Sequence, residues 1–374
     1  MRDTPLTRLV QCGQSIWLDG ISRPMLVSGE LISLIQDDGV SGVTSDPALF
    51  ERAVGGGEYD GAINALARQG LSAVDIYEAL ATEDVRLVAD LLHPLYDRLD
   101  GRDGFVSLEL SPHLAHDSAG LLMEARRLWE RVDRPNLLVK VPGTWEGVAA
   151  VRQLVREGVN VNVTLVFGIP RYRAVVEAYL DGLSERAAHG LPLARVASVA
   201  SLFLGRIDLM VDPMLARLSQ VEGATGRTAA ALRGEVAIAC AKAFAGVHRE
   251  IHSDDRYLAL AAHGARPQRL VWVSTGTREH SRGDVKYPEA LIGPGTVEAM
   301  PLETLAAYRD HGMPGNRLDN GLQEAVALLE RLHGLGVDLN HLAQQLEDEG
   351  VERFARPHDS LIRNIELKRI AAVS

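Results

Sequence analysis

One lysine stands out among the residues of this chain that could do chemistry. Lys140 follows the apolar run 137–139 and comes just before the turn-forming residues 142–144. A short apolar run bounded by turn residues predicts a buried strand. A lysine held among apolar neighbours loses hydration, which favours its neutral form, and a neutral amine can attack a carbonyl to form a Schiff base. Taken by itself, however, this stretch favours an edge lysine that reaches solvent or pairs with a carboxylate.

The composition limits the classes of protein to which the chain can belong. Its 374 residues suffice for one large or two ordinary domains, and a hydrophobic content of 46% allows a sizeable core. The net charge of −11 argues against a nucleic-acid or membrane-surface protein, and two cysteines are too few for a disulfide framework or a cysteine zinc site. We find no signal peptide in residues 1–10 and no apolar run of about 18 residues, so we expect a cytoplasmic protein.

Apolar runs and helical patterns alternate along the chain. We predict strands at 15–19, 39–46, 105–110, 137–141, 159–167, 196–203, 269–274 and 296–300. We predict helices at 26–38, 59–99 with breaks near 70 and 82, 119–132, 145–157, 171–188 and 233–251, with a long loop before the last. This alternation implies parallel strands with crossover helices, and about eight units suggest a (β/α)8 TIM barrel.

An open doubly wound sheet is the alternative architecture. The glycine fingerprint of a dinucleotide site is missing after the first strand, which disfavours that alternative. From residue 304 to the end the pattern is mainly helical. We therefore expect a single domain, 1–374, in which about 302–374 form additional C-terminal helices packed on the barrel.

Polar residues occur at nearly every predicted strand end. Active-site groups of such barrels lie at the carboxyl ends of the strands. In this chain those ends carry Asp19, Asp46, Glu109, Lys140, Asn162, Thr164, Ser201, Arg206, Ser274 and Thr275. Any one of them has an ordinary structural explanation, such as a helix cap or a salt bridge. Together they supply an amine nucleophile, carboxylates for proton transfer, and hydroxyl and arginine donors for a phosphate.

Several separated segments carry a family resemblance. They are G-V-T-S-D-P-A-L-F at 42–50, N-L-L-V-K-V-P-G at 136–143, N-V-T-L-V-F at 162–167, A-S-V-A-S-L-F-L-G-R-I-D at 197–208 and W-V-S-T-G-T at 272–277. In this order they resemble the transaldolases in their longer bacterial form. The resemblance implies a cofactor-free enzyme that acts on small sugar phosphates, has no nucleic-acid or membrane partner, and is a monomer or homodimer.

The resemblance also implies the reaction and the catalytic residues. A dihydroxyacetone unit would pass from sedoheptulose 7-phosphate or fructose 6-phosphate to glyceraldehyde 3-phosphate or erythrose 4-phosphate, in the pentose phosphate pathway. Lys140 would attack the ketose carbonyl, and Asp19 would act as acid and base when the C3–C4 bond breaks. Glu109 and Thr164 would hold a water that moves protons during imine formation.

By the same resemblance, the substrate-binding residues are Asp46, Asn162, Ser201, Phe203, Arg206, Ser274 and Arg278. Asn162 and Ser201 would hydrogen-bond the dihydroxyacetone unit. Arg206 and Ser274 would bind the phosphate, with Arg278 a further candidate from the next loop. The segment R-E-H-S-R-G at 278–283 is less typical of the family, which leaves the acceptor phosphate contacts open.

One residue departs from the family pattern. The family has asparagine where this chain has Asp46, and an ionised aspartate accepts hydrogen bonds but cannot donate them. Its negative charge also opposes the neutral form of a nearby lysine. Two alternatives to a pentose phosphate transaldolase therefore stay open: a transaldolase-like aldolase of specialised sugar metabolism with another donor, and a non-catalytic sugar-phosphate-binding relative.

Overall fold

Eight parallel strands form a closed barrel in the computed structural model, which describes residues 3–45, 47–276 and 283–373. Each strand pairs with the next along the chain, and the last pairs with the first. The strands are β1 (Ser15–Asp19), β2 (Val40–Thr44), β3 (Phe105–Glu109), β4 (Leu137–Pro142), β5 (Val161–Val166), β6 (Ser198–Phe203), β7 (Arg269–Val273) and β8 (Val297–Met300). The predicted (β/α)8 barrel is confirmed, and the open doubly wound sheet is excluded.

Helices fill the connections and the C-terminal region. They are α1 (Pro5–Gln11), α2 (Arg23–Ser28), α3 (Glu30–Asp37), α4 (Pro47–Gly55), α5 (Asp60–Arg68), α6 (Ala73–Arg98), α7 (Ser118–Val132), α8 (Trp145–Glu157), α9 (Ile169–Ala188), α10 (Leu204–Leu218), α11 (Ala224–Leu232), α12 (Val236–Ile251), α13 (Asp255–Ala262), α14 (Lys286–Ala290), α15 (Leu302–His311), α16 (Leu322–Gly334) and α17 (Leu339–Val373). None of the described helices is long and apolar enough to cross a membrane.

Local capping explains how α8 follows the lysine strand so closely. The Thr144 hydroxyl accepts a hydrogen bond from the Gly147 backbone N–H at 3.0 Å, which satisfies one unpaired donor of the first turn. At the other end, Gly158 adopts a left-handed conformation with φ +90°, which glycine reaches without strain. These two signals are local, and the predicted helix at 145–157 agrees with the observed one.

Three helical predictions were wrong. The expected break near residue 82 does not occur, because the Thr82 hydroxyl donates to the Glu78 carbonyl at 2.7 Å inside a continuous α6. The expected helix at 26–38 is two helices, since Gly29 interrupts it with φ +79°. The expected long loop before residue 233 contains α10 and α11; Pro213 inside α10 and the short, nine-residue length of α11 weaken the helical pattern.

Apolar side chains fill part of the barrel interior. Trp17, Phe105, Leu138 and Val271 belong to one buried apolar cluster within it. The Trp17 indole donates to the Asp103 carboxylate at 2.9 Å. A Cβ atom at position 42 would come within 2.4 Å of that indole, so only glycine fits beside it. This apolar filling occupies part of the barrel interior, and the carboxyl ends of the strands are left for a site.

Candidate active site

Lys140 lies near the carboxyl end of β4 and is only 6% exposed. Its ammonium nitrogen lies 2.5 Å from a carboxylate oxygen of Glu109 and donates to the Ser45 carbonyl at 3.1 Å. The Phe354 ring, from α17, has its centroid 5.9 Å from the same nitrogen. The lysine is therefore a buried, partnered group inside the barrel rather than an edge residue that extends into solvent.

Strand register brings Glu109 to this position. Glu109 on β3 is the direct neighbour of Lys140 on β4, so both side chains project to the same side of the sheet. The Glu109 side chain is 12% exposed. Burial raises the pKa of Tyr77, and the nearby charge of Glu109 raises it further, so that phenol stays neutral. Because it lies against the Lys140 amine, the Glu109 carboxylate can take up and return protons.

A chain of hydrogen bonds connects three buried side chains on β3, β5 and β6. Ser201 donates to the Asn162 side-chain oxygen at 2.8 Å, and the Asn162 amide donates to the Ser107 hydroxyl at 3.0 Å. Asn162 is also the direct strand neighbour of Lys140. Sequence reasoning named Asn162 and Ser201 but missed Ser107. The signal was present, because Ser107 lies two residues before Glu109 and strand side chains alternate with a period of two.

Thr164 lies on β5 where the strand is irregular. The pairing of β5 with β6 shifts register between Val163 and Val166, and Leu165 has φ +60°, an uncommon conformation for a residue with a side chain. The Thr164 hydroxyl is buried, and no protein atom of the described structure pairs with it. Bulges of this kind redirect side chains next to active sites. The hydroxyl is thus open to a water or a substrate group.

A cavity of about 1140 Å³ opens at this end of the barrel. Four residues predicted for the site line it: Asp19, Phe203, Arg206 and Ser274. The Gly205 N–H donates to the Ser274 carbonyl at 3.1 Å, and a Cβ at position 205 would come within 2.5 Å of that oxygen. The start of α10 thus packs tightly on the end of β7, which places Arg206 and Ser274 side by side at the cavity wall.

The structure brings the predicted residues into two adjoining groups. Lys140, Glu109, Asn162, Thr164 and Ser201 are buried or nearly buried at the strand ends, whereas the four cavity-lining residues lie closer to the opening. Asp46 and Arg278 lie outside the described residues. Among the described residues, no cluster of histidine, cysteine and carboxylate side chains could hold a metal ion.

Phe354 is a site residue that sequence reasoning did not identify. It lies on the C-terminal helix α17 and lines the cavity together with Leu165 and Arg206. Its ring meets the Phe203 ring nearly edge-on, with centroids 6.3 Å apart. Nothing in its local sequence distinguishes it from an ordinary apolar residue of a helix, so only the packing of α17 on the barrel identifies it.

The chain is similar in sequence to known proteins over nearly its whole length. Residues 16–365 match the family described as Transaldolase/Fructose-6-phosphate aldolase. A Thiobacillus denitrificans protein named Transaldolase is 47% identical over 354 residues, which are 94% of this chain and 97% of that protein. A Thermobifida fusca protein of the same name is 42% identical, with 97% of each chain covered. A Nostoc sp. protein named Transaldolase 2 is 40% identical, also with 97% of each chain covered.

Proposed function

The chain belongs to the transaldolase/fructose-6-phosphate aldolase family and is a transaldolase, and we propose that it transfers a dihydroxyacetone unit through a Schiff base on Lys140. The proposed donors are sedoheptulose 7-phosphate and fructose 6-phosphate, and the acceptors are glyceraldehyde 3-phosphate and erythrose 4-phosphate. This is the exchange of the pentose phosphate pathway. The observation that carries the proposal is the buried Lys140 amine in contact with the Glu109 carboxylate at the open end of the barrel.

The proposed reaction begins at the ketose carbonyl. The Lys140 amine adds to this carbon, and loss of water leaves an iminium ion. Glu109, with a water held near the Thr164 hydroxyl, moves the protons of this dehydration. Asp19 then takes the proton of the C4 hydroxyl while the C3–C4 bond breaks, so the aldose phosphate leaves and an enamine stays on the lysine. Addition of the enamine to the acceptor aldehyde runs these steps in reverse.

The remaining polar residues hold the substrate in this proposal. Asn162, supported by Ser107 and Ser201, hydrogen-bonds the hydroxyl groups of the dihydroxyacetone unit. Arg206 and Ser274 bind the phosphate, because a guanidinium matches the geometry of phosphate oxygens and the two residues share one cavity wall. Asp46 and Arg278 remain candidates from the sequence for further substrate contacts.

Borohydride trapping tests the proposal. Incubation with fructose 6-phosphate and borohydride should attach a three-carbon adduct, and peptide mapping should place it on Lys140. Lys140→Arg should abolish the adduct, since guanidinium stays protonated and cannot form the imine. Lys242→Arg is the matched control, because Lys242 lies outside the site and donates to the Asn320 carbonyl at 2.6 Å. An adduct that maps to Lys242 or Lys286 would contradict the assignment.

A further inference from the structure

The C-terminal helix α17 lies against the end of the barrel that contains the site. Its 35 residues would extend about 52 Å at 1.5 Å per residue. Near its start, Glu347 pairs with Arg171 at 3.2 Å. Towards its end, Leu361 and Ile365 are fully buried in an apolar cluster shared with α4, α5 and α6. The middle of the helix is therefore held over the strand ends by contacts on both sides.

The middle of α17 approaches the site at two positions one turn apart. At Gly350 a Cβ atom would come within 2.7 Å of the Leu165 side chain, so the helix comes very close to the bulge of β5. Phe354 follows and directs its ring towards the Lys140 amine and the Phe203 ring. Both Gly350 and Phe354 line the main cavity. Phe354 thus covers the reacting nitrogen from the side opposite the strands.

We infer that Phe354 favours transfer of the dihydroxyacetone unit from Lys140 to an acceptor aldose over its release as free dihydroxyacetone, because the ring excludes water from the bound unit. The inference rests on the proposed Schiff-base function and adds a specificity residue to it. An aromatic ring about 6 Å or less from a cation also attracts its charge, so the ring stabilises the iminium while it keeps solvent away.

Two reactions compete for the bound enamine. In transfer, its nucleophilic carbon forms a bond to the acceptor aldehyde carbon. In release, the same carbon takes a proton, and a water molecule then adds to the iminium carbon. The C–O bond forms, the C–N bond breaks, and free dihydroxyacetone leaves while Lys140 regains its amine. Both routes end when water adds to an iminium carbon, so the balance is set one step earlier, at the enamine. Access of water to the enamine carbon, which water can protonate before an acceptor arrives, decides between the two outcomes.

The test compares these products for Phe354→Ala, Phe354→Leu and the unaltered enzyme. With fructose 6-phosphate and erythrose 4-phosphate, the ratio of free dihydroxyacetone to sedoheptulose 7-phosphate is measured. We expect Phe354→Ala to raise this ratio several-fold and to lower kcat for transfer by about two- to thirtyfold, the range for losing a ring–cation contact. Phe354→Leu, which keeps an apolar cover without the ring, should raise the ratio less and also serves if the alanine protein does not fold.

Arg356→Ala is the matched control on the same helix, because Arg356 is exposed and pairs with Glu352, one turn away on that helix, at 3.0 Å. It should leave the product ratio unchanged. An unchanged ratio in both Phe354 variants, with the adduct still trapped on Lys140, would overturn this inference and leave the proposed function standing. Failure of the unaltered enzyme to give any adduct on Lys140 would instead overturn the proposed function.

Discussion

At the scale of single residues, the proposed reaction depends on the Lys140–Glu109 pair. Two buried groups of opposite charge 2.5 Å apart stabilise each other, whereas either one by itself would be costly to bury. In the proposed reaction, the same contact keeps the carboxylate within reach of the protons that the amine would lose and regain. Binding of a ketose carbonyl at the lysine would then rearrange this pair before the imine forms.

Replacement of Glu109 by glutamine tests its part in proton transfer. The amide keeps the size of the side chain but cannot take up a proton, so we expect Glu109→Gln to slow adduct formation on Lys140 by about 10²–10⁴-fold, the usual contribution of a positioned acid–base group. Single-turnover trapping with borohydride measures this rate. Glu130→Gln, on the exposed face of α7, is the control. A rate equal to that of the control would show that Glu109 serves only to neutralise the lysine.

At the scale of elements, the packing of α17 against β5 shapes the cavity. Gly350 permits the close approach, and Pro357 lies inside the helix about two turns beyond it. Proline has no N–H, so the carbonyl of Arg353 loses its usual helical partner at the cavity edge. The helix is therefore closest to the barrel and locally weakest in the same region, around Phe354.

A side chain at position 350 should lift α17 from the barrel. Gly350→Leu would force its side chain against Leu165, which is 3% exposed and has little room to move. We expect a loss of stability of about 1–3 kcal/mol from overpacking, even though leucine is the better helix former by nearly 1 kcal/mol. Urea unfolding and kcat/KM for fructose 6-phosphate measure the two consequences.

Gly61→Leu provides the comparison, because Gly61 lies in α5 with open space around it. There the gain in helix propensity meets no clash, so stability should stay equal or rise. If both substitutions had the same effect on stability and activity, the close contact between Gly350 and Leu165 would not determine how α17 packs on the barrel.

At the scale of the whole molecule, a buried carboxyl group on β8 makes stability depend on pH. Glu298 is fully buried, and neither of its carboxyl oxygens has a hydrogen-bond partner in the described part of the chain. Its strand neighbour Trp272 and the nearby Tyr308 also have unpaired polar atoms within that part. The Thr275 hydroxyl, which lies next to Glu298, donates to the Ala299 carbonyl at 3.0 Å. Burial raises the pKa of Glu298 well above its ordinary value.

The sign of the effect follows from proton linkage. Above the ordinary carboxyl pKa the folded protein holds a proton that the unfolded chain has lost, so stability falls as pH rises, by up to about 1.4 kcal/mol per pH unit until the folded pKa is reached. Glu298→Gln keeps the shape without the proton. We therefore expect its stability relative to the unaltered protein to increase as pH rises above the ordinary carboxyl pKa. Urea unfolding at several pH values measures this difference, and a constant difference would contradict it.

The sequence by itself predicted the barrel and named most of the residues that we propose for the site. Strands such as β1 and β4 are short apolar runs between turn residues, and their order along the chain requires parallel pairing. Because parallel strands all end at the same side, Lys140, Glu109 and Asn162 could be assigned to one site before their contacts were known. The family resemblance added their proposed roles.

Only the tertiary structure decided how these groups meet. The Ser107–Asn162–Ser201 chain depends on how β3, β5 and β6 are placed around the barrel, and the bulge at Leu165 depends on how β5 pairs with β6. The position of Phe354 over Lys140 depends on a helix folded back from the end of the chain. Local patterns report periodicity within one element, whereas register and the packing of distant elements arise from contacts between residues far apart in sequence. That is why the sequence could single out Lys140 as the candidate nucleophile but could not identify Phe354 above it.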